Sequence, residues 1–249
     1  MSESNTTVSE ESGEQTTGKA SAKFPLVLHE DNHTIVVNKR SGDIVQGDKT
    51  GDEPLSEQIK RFLKKKYNKQ GNIFCGVVHR LDRPTTGALV FAKTSKAIGR
   101  LNTQFRDKET KKVYWAVVEN KPKNETGRLE HFLKKNEKQN KSYASDTESK
   151  GSKQAVLDYK LIGSSDKYFL LEIVLETGRH HQIRCQLGTI DCIIKGDLKY
   201  GAKRSNKDGS ICLHARELTY EHPTTNEVIH ITAPVPNDPL WKFFEDAIK

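Results

Sequence analysis

The feature that most limits how this chain can fold is a succession of short segments with the patterning of β-strands. Segments such as KVYWAVVE and EVIHITA alternate side chains or form short apolar runs, and loops rich in Gly, Pro and Asn separate them. Helical spacing is confined to a few scattered segments, without regular strand–helix alternation. This pattern predicts an α+β fold, with a mixed, mostly antiparallel sheet and flanking helices.

Four segments predict helices. Pro54 opens the first, LSEQIKRFLKKKY, because a proline in the first turn sacrifices no helical hydrogen bond. We expect Ser95 to cap a second helix that runs to about Asp107. A short helix is predicted across HHQIRCQLGTI, and PLWKFFEDAI is predicted to close the chain as an amphipathic helix.

Composition divides the chain into two parts. Residues 1–23 are rich in Ser, Thr, Glu and Gly, so we expect a disordered, acidic and polar tail. Residues 24–249 are predicted to form one domain. Within it, residues 120–153 are polar and rich in Lys, Asn and Ser, which favours a long hairpin excursion with mobile parts.

The charge of the chain points to a polyanionic partner. Its formal net charge is +8, and residues 24–249 carry +10 once the acidic first 23 residues are set aside. Basic surfaces bind nucleic acid by displacing condensed counterions. Such charge also serves solubility, so composition alone establishes neither RNA nor DNA as the partner.

Other functional classes find no support in the sequence. No stretch approaches the roughly 20 apolar residues of a membrane span, and the first residues lack the pattern of a secretory signal. We therefore expect a cytoplasmic protein that does not contact membranes. The four cysteines lack CxxC spacing, which predicts neither a zinc site nor a disulfide framework.

The segment HRLDRPTTG is the first candidate for a catalytic motif. It places Asp82 between Arg80 and Arg83, in a loop that joins two apolar strands. The flanking guanidiniums are expected to keep Asp82 ionised, as a nucleophile or an electrostatic stabiliser must be. The alternative is a surface ion-pair loop. A kinase is excluded, because neither a GxGxxG segment nor a DFG accompanies the HRLD.

The segment TGRHHQIRCQ is the second candidate, at a strand-to-helix turn. His180 and Arg184 lie four apart and are predicted to share one helix face, as are Ile183 and Leu187. A basic, amide-rich face suits a phosphate or a base edge, and the alternative is a solvated helix face. No HExxH or CxxC accompanies the histidines, so no metal site is predicted.

These segments resemble a known family. HRLDRPTTG is similar to the HRLDxxTSG signature of the RluA-type pseudouridine synthases, and four more segments resemble motifs of that family in family order. The resemblance implies a pseudouridine-synthase catalytic domain over residues 24–249. It also implies isomerisation of specific uridines in structured RNA, ribosomal or transfer, without cofactor or metal. The four additional segments are KVYWAVV, TGRHHQIRCQL, GDLKYG and LHARELTYEHP.

The resemblance also implies roles for individual residues. Asp82 corresponds to the catalytic aspartate, Tyr114 to the tyrosine that stacks on the target uracil, and Arg184 to the arginine that pairs with the aspartate. Arg80 corresponds to a residue implicated in displacing the flipped nucleotide, and Leu213 to the apolar wall of the pocket. The residues expected to contact substrate are His79, Arg80, Thr86, His181, Gln182 and Leu213.

The sequence departs from the family at several points. Thr86 stands where the family usually has Ser, and Lys39-Arg40 stands where it usually has Lys-Pro. We expect no appended N-terminal RNA-binding domain and a monomer, so the grip on RNA is assigned to Lys64–Lys66 and the polar excursion.

Two other functions were weighed against the synthase. One is an RNA-binding relative without activity, against which the intact Asp82, Tyr114 and Arg184 argue. The other is a hydrolase in which Asp191 or Asp197 completes a carboxylate pair with Asp82; neither stands in a comparable motif.

Overall fold

A computed structural model describes residues 24–48 and 50–248 of the chain. It shows the predicted α+β fold, a mixed sheet of eleven strands with four α-helices among these residues. The predicted tail, residues 1–23, lies outside the described residues. No helix in the described part of the chain is long and apolar enough to cross a membrane.

The bounds of the elements are as follows. The strands are β1 (Leu26–Glu30), β2 (Thr34–Lys39), β3 (Gly76–Val77), β4 (Thr86–Ala92), β5 (Lys111–Val118), β6 (Thr126–Asn136), β7 (Lys141–Ser145), β8 (Lys153–Ser164), β9 (Phe169–Leu175), β10 (Leu213–Glu221) and β11 (Val228–Thr232). The helices are α1 (Leu55–Lys66), α2 (Ser95–Asp107), α3 (Gln182–Thr189) and α4 (Pro239–Ala247), and a 3-10 turn covers Leu198–Tyr200.

The sheet runs in the order β1-β2-β4-β10-β5-β9-β8-β6-β7, with β3 paired to β4 and β11 paired to β10. Among these strands β10 and β4 run parallel, and the other pairings are antiparallel. The parallel contact brings Gly87 opposite Ala215. Gly87 has a φ of 119°, and a Cβ there would lie 2.7 Å from the Ala215 Cα, so the two strands meet only because this residue is glycine.

The centre of the sheet is buried on both faces. Along β4, Leu89 and Phe91 pack into the core that includes α1 and α4, while Val90 packs with Leu101 of α2 on the opposite face. This alternation follows from the two-residue period of a strand. The loop that precedes β4, which carries Asp82, is therefore attached to a strand with little freedom to move.

The structure corrects some element boundaries. Ser95 is the first residue of α2 rather than its cap; the Thr94 hydroxyl accepts the N–H of Ala97 at 3.1 Å because Thr94 keeps the extended backbone that a cap needs. Of the predicted strand NIFCGVVH, only Gly76–Val77 is paired. The polar segment does contain a hairpin, β6–β7, but β6 also pairs with β8, so the hairpin continues the sheet.

Candidate active site

A buried lysine at the end of β2 holds the loop that carries Asp82. Lys39, at the end of β2, is almost fully buried and donates from Nζ to the carbonyls of Asp82, Arg83 and Thr85 at 3.2, 3.0 and 2.8 Å. Burial lowers the pKa of Lys39 to about 8. These three hydrogen bonds hold the backbone on both sides of Arg83 against the end of β2. From the sequence, Lys39 stood out only as part of the pair Lys39-Arg40, which replaces the usual Lys-Pro of the family.

Arg184 of α3 links two carboxylates. Its Nη1 donates to Oδ2 of Asp82 at 2.9 Å, while Nε and Nη2 donate to the two oxygens of Asp197 at 2.7 and 2.8 Å. Burial lowers the pKa of Arg184, but Asp197 and Asp82 more than offset this and raise it. The bidentate contact of Arg184 is therefore with Asp197, a residue of the GDLKYG segment that the sequence offered only as a possible second carboxylate of a hydrolase.

The arginines beside Asp82 in sequence do not pair with it. Arg83 pairs with Asp52, with 2.6 Å between Nη2 and Oδ2, and Arg80 is exposed at the mouth of the site. The expectation that flanking guanidiniums hold the Asp82 charge was wrong about the partner, because neighbours along an extended loop point in different directions. Arg184, distant in sequence and named as the partner by the family resemblance, supplies the pairing charge.

His181 lies beside Asp82 at the start of α3. Its Nε2 is 3.6 Å from Oδ2 of Asp82 and its Nδ1 is 3.1 Å from the hydroxyl of Tyr200. Burial, assisted by the charge of Arg184, lowers the pKa of His181 to about 2. His181 is the N-cap of α3, so His180 precedes the helix, and the prediction that His180 and Arg184 share a helix face was wrong.

The other half of that motif prediction was right. Ile183 and Leu187 are both buried in the core cluster. Arg184 and Gln186, whose side chains the sequence left open to a solvated face, are also buried. The Gln182 side chain forms hydrogen bonds within the protein. Its Oε1 accepts from the Thr177 hydroxyl at 2.8 Å, and its Nε2 donates to the Val156 carbonyl at 3.1 Å.

Tyr114, on a central strand of the sheet, lines the same cavity as Asp82. It lies in β5, opposite Ala215 on one side and Ile173 on the other, with 8% of its surface exposed. Burial raises the pKa of Tyr114, and the charge of Asp82 raises it further, so the hydroxyl keeps its proton. No residue in the described part of the chain hydrogen-bonds that hydroxyl.

These side chains enclose a small cavity of about 100 Å³ that opens into a cleft of about 420 Å³. The inner space is smaller than the apolar cavities of about 150 Å³ that accommodate a benzene ring, and it shares Arg80, Asp82 and Arg184 with the lining of the outer cleft. The outer cleft adds basic side chains around Asp82. The inner cavity is lined by Arg80, Leu81, Asp82, Thr85, Tyr114, Leu175, Gly178, Arg179, His181, Gln182, Ile183, Arg184 and Leu213.

Of the predicted substrate contacts, His79 and Thr86 do not line the cavity. His79 accepts the N–H of Val90 at 3.2 Å and stacks on Phe105, and burial lowers its pKa to about 3. The Thr86 hydroxyl lies 2.8 Å from Nδ1 of His214, inside the sheet. Thr85 lines the cavity instead, and its buried hydroxyl has no hydrogen-bond partner within residues 24–48 and 50–248.

The carboxylate pair of a hydrolase is not assembled. Asp197 is 1% exposed and both of its oxygens are bound to Arg184. Asp191 accepts from the Asn120 side chain at 3.0 Å and does not line the cavity. Among the described residues, no group of three or more His, Cys, Asp and Glu side chains is placed to hold a metal ion.

The site thus combines a paired aspartate at the base of a small cavity with basic side chains around the opening of that cavity. Comparison with known proteins gives the class. The family model for RNA pseudouridylate synthases matches residues 33–189. The chain belongs to this family, as its five motifs predicted.

Two curated relatives illustrate the match. The chain is 33% identical over 219 residues to an uncharacterized RNA pseudouridine synthase of Bacillus subtilis, YhcT, covering 85% of this chain and 69% of that one. It is 35% identical over 198 residues to the ribosomal large subunit pseudouridine synthase D of Borreliella burgdorferi, covering 77% of this chain and 60% of the relative. The chain thus spans about two thirds of the length of these proteins.

A solved structure shares the fold. Human RNA pseudouridylate synthase domain containing 4 matches with a TM-score of 0.72, at 22% identity, over 90% of this chain and 92% of the human one. At this level of identity, the match supports the pseudouridine-synthase fold.

Proposed function

We propose that this protein isomerises uridine to pseudouridine in structured RNA, with Asp82 as its nucleophile. The observation that carries the proposal is the Arg184–Asp82 ion pair at the base of a cavity that Tyr114 and Leu213 also line, in a chain of the RNA pseudouridylate synthase family. An ionised carboxylate held by a buried arginine is charged, oriented and open to the cavity. Binding alone would not require it.

The reaction requires few catalytic groups. The C1′–N1 bond of uridine breaks, the uracil turns, and C5 bonds to C1′; C5 then loses its proton and N1 gains one. Composition and oxidation state do not change, so the chemistry calls for no redox partner. Three routes are open to the Asp82 carboxylate: it attacks C1′, it adds to C6 of the uracil, or it assists the formation of a glycal. Each route uses an oriented carboxylate oxygen.

The hydrogen bonds of Asp82 distinguish its two oxygens. Arg184 and His181 both approach Oδ2. Among the described residues, Oδ1 has no hydrogen-bond partner. A carboxylate oxygen that a guanidinium already holds is the weaker nucleophile, so we assign the attack to Oδ1.

The walls of the cavity suit a flipped uracil. Displacing a base from its stack costs a few kcal/mol, and stacking on an aromatic ring returns about 1–3 kcal/mol. Tyr114 supplies the ring, and Leu213 supplies the apolar wall assigned to it from the sequence. The unpartnered Thr85 hydroxyl is positioned to bond a polar edge of the base, a role that the sequence had assigned to Thr86.

The outer cleft is the path we assign to the RNA backbone. Arg80, Arg83 and Lys199 line it and surround the opening of the cavity, where phosphates on either side of a flipped nucleotide must pass. The sequence analysis assigned RNA binding partly to Lys64–Lys66. These lysines lie in the last turn of α1, outside this cleft, and Lys66 pairs with Glu30 at 2.7 Å. The names of relatives such as the Borreliella enzyme support ribosomal RNA as the substrate.

Replacement of the nucleophile tests the activity. We expect Asp82→Asn to abolish pseudouridine formation on unmodified, transcribed ribosomal RNA, while the dissociation constant stays within about two-fold. The matched control is Asp158→Asn, a half-exposed aspartate of β8 that pairs with Arg128. Turnover by the Asp82→Asn protein, purified without wild-type enzyme, would overturn the proposal.

The substrate is tested by mapping pseudouridine in RNA from a deletion strain of the source organism. Loss of modification at ribosomal RNA positions, restored by the wild-type gene and not by Asp82→Asn, is the expected result. Loss confined to transfer RNA would contradict the ribosomal assignment.

A further inference from the structure

A chain of polar contacts connects the β6–β7 hairpin to the catalytic aspartate. The backbone N–H of Ser142, in β7, donates to the Tyr200 hydroxyl at 2.9 Å. That hydroxyl lies 3.1 Å from Nδ1 of His181, whose Nε2 faces Oδ2 of Asp82 at 3.6 Å. The four residues come from a strand, a 3-10 turn, a helix cap and a loop, so the alignment exists only in the folded chain.

We propose that His181 is a positioning residue for Asp82, and that Tyr200, held by β7, sets the orientation and tautomer of its imidazole. The inference rests on the proposed function, since it takes Asp82 to be the nucleophile. It replaces the direct substrate contact that the family resemblance implied for His181. It also makes the hairpin a support of the active site.

The tautomer follows from the contacts of Tyr200. The hydroxyl accepts the Ser142 N–H, and its own proton has two acceptors at 3.1 Å, the Ser142 carbonyl and Nδ1 of His181. Donation to Nδ1 leaves the imidazole proton on Nε2, facing the Asp82 carboxylate. The opposite tautomer would turn the Nε2 lone pair towards a negative oxygen, so the charge of Asp82 favours the Nε2–H form.

The surroundings keep this imidazole neutral. Burial lowers the pKa of His181, and the charges of Arg184, Lys199 and Lys135 lower it further. A neutral N–H donor adds a second contact on Oδ2 beside Arg184 without adding a positive charge. The 3.6 Å separation is longer than a hydrogen bond, and catalytic contacts of this kind shorten when substrate fills the cavity and excludes water.

The backbone of His181 gives independent support. Its φ is 54°, in the left-handed region, and its side chain makes no capping hydrogen bond to α3. A cap position usually holds Ser, Thr, Asp or Asn, and a non-glycine residue at positive φ is uncommon. Histidine is one of the residue types enriched at positive φ, so the support comes from the cap: histidine is not a preferred cap residue, and its side chain faces Asp82 and Tyr200 instead of the backbone of α3.

The first test changes one hydroxyl. Tyr200→Phe removes the contacts of the hydroxyl to His181 and to the Ser142 backbone but keeps the ring that packs 5.2 Å from the Arg184 guanidinium. We expect the single-turnover rate on saturating, tritium-labelled ribosomal RNA transcript to fall about ten-fold, the scale of one lost hydrogen bond to a charged network. The RNA dissociation constant should change less than about two-fold.

The matched control is Tyr143→Phe. Tyr143 lies next to Ser142 in the same strand and is exposed, and its hydroxyl bonds Gln139 within the hairpin. It should match wild type in rate and affinity. A Tyr200→Phe protein as fast as wild type, or one that loses affinity with an unchanged rate, would overturn the inference.

The second test compares two amides at His181. The Nε2 of glutamine is as many bonds from Cα as the Nε2 of histidine, so His181→Gln places an N–H donor near Asp82. His181→Asn places its amide at the level of Nδ1, although asparagine suits the left-handed backbone better. We expect Gln to retain a rate at least about five-fold above that of Asn, while Asn is at least as stable in thermal unfolding.

Two outcomes separate this inference from the proposed function. An active Asp82→Asn protein would remove the nucleophile and the inference together. An inactive Asp82→Asn, combined with an Asn variant of His181 as fast as the Gln variant, would leave the nucleophile in place and contradict the positioning role.

Discussion

At the scale of single residues, the site depends on how one guanidinium divides its donors. Arg184 gives two donors to Asp197 and one to Asp82, and both it and Asp197 are buried. A lysine has no planar fork and cannot make these three contacts in this geometry. The pairing of Asp197 and the orientation of Asp82 are therefore coupled through one side chain.

We predict that Arg184→Lys loses both activity and stability. The single-turnover rate should fall by about 100-fold or more, and the free energy of unfolding should fall by about 2–4 kcal/mol, because Asp197 stays buried with a poorer partner. Denaturant unfolding and the rate assay measure the two effects. Arg128→Lys changes an exposed arginine with three acidic partners, and it should change the free energy of unfolding much less, because solvent screens exposed ion pairs. Equal effects of the two substitutions would contradict the special place of Arg184.

The Tyr114 hydroxyl has a separate, testable role. It is protonated, lines the cavity and has no partner in the described part of the chain, so it is available to a substrate that occupies the cavity. We predict that Tyr114→Phe keeps RNA affinity but is slowed at proton removal from C5, which the protonated hydroxyl assists as a relay: its oxygen accepts the C5 proton as its own proton passes to the Asp82 carboxylate. A substrate with 5-fluorouridine at the target has no such proton and should be rearranged equally by wild type and variant. Equal impairment on both substrates would assign the hydroxyl to positioning.

At the scale of secondary structure elements, the parallel contact of β4 and β10 sets where the Asp82 loop begins. Gly87 lies opposite Ala215, where its missing Cβ and positive φ allow the strands to meet. Lys39 at the end of β2 then holds the loop carbonyls. The neighbouring strands therefore determine the position of the nucleophile, and the helix α3 brings its partner.

We predict that Gly87→Ala lowers the free energy of unfolding by about 3 kcal/mol or more, since backbone strain and a steric clash add. Gly151→Ala is the matched control: its φ is 83° and nothing lies within 4 Å of an added Cβ. It should lose only the strain, about 1 kcal/mol. If the two variants lost similar free energies of unfolding in denaturant, the close approach of β4 and β10 would not be the reason for glycine at position 87.

At the scale of the whole molecule, a basic chain concentrates part of its charge around the opening of the active site. The formal net charge is +8, and Arg80, Arg83 and Lys199 line the cleft above Asp82. Affinity for RNA should therefore fall linearly on a log–log plot against salt, with a slope that reports the phosphates contacted.

We predict that Arg83→Glu with Lys199→Glu flattens this salt slope, because both side chains lie on the assigned RNA path. Lys64→Glu with Lys65→Glu makes the same change in net charge at the end of α1, away from the cleft. It should leave the slope near that of wild type in filter binding across a salt series. A flatter slope only for the α1 pair would place the RNA along that helix, as the sequence suggested.

The sequence by itself determined the class of fold, the family and the members of the site that stand in motifs, because strand period and motif spacing are local properties. Asp82, Tyr114, Arg184 and Leu213 were all singled out in this way, and the structure places all four at one cavity. Asp82 and Arg184 stand out as charged residues between apolar segments, whereas Tyr114 and Leu213 were assigned through the resemblance to the family motifs.

Only the tertiary structure decided which groups touch. It placed Arg184, as the family resemblance implied, and not the neighbouring arginines against Asp82; it also turned Thr85 rather than Thr86 to the cavity and brought Lys39, Asp197 and Tyr200 into the site. These contacts join residues far apart in sequence, so they depend on strand order and register. Spacing along the chain carries no information about which buried charge will find which partner across the sheet.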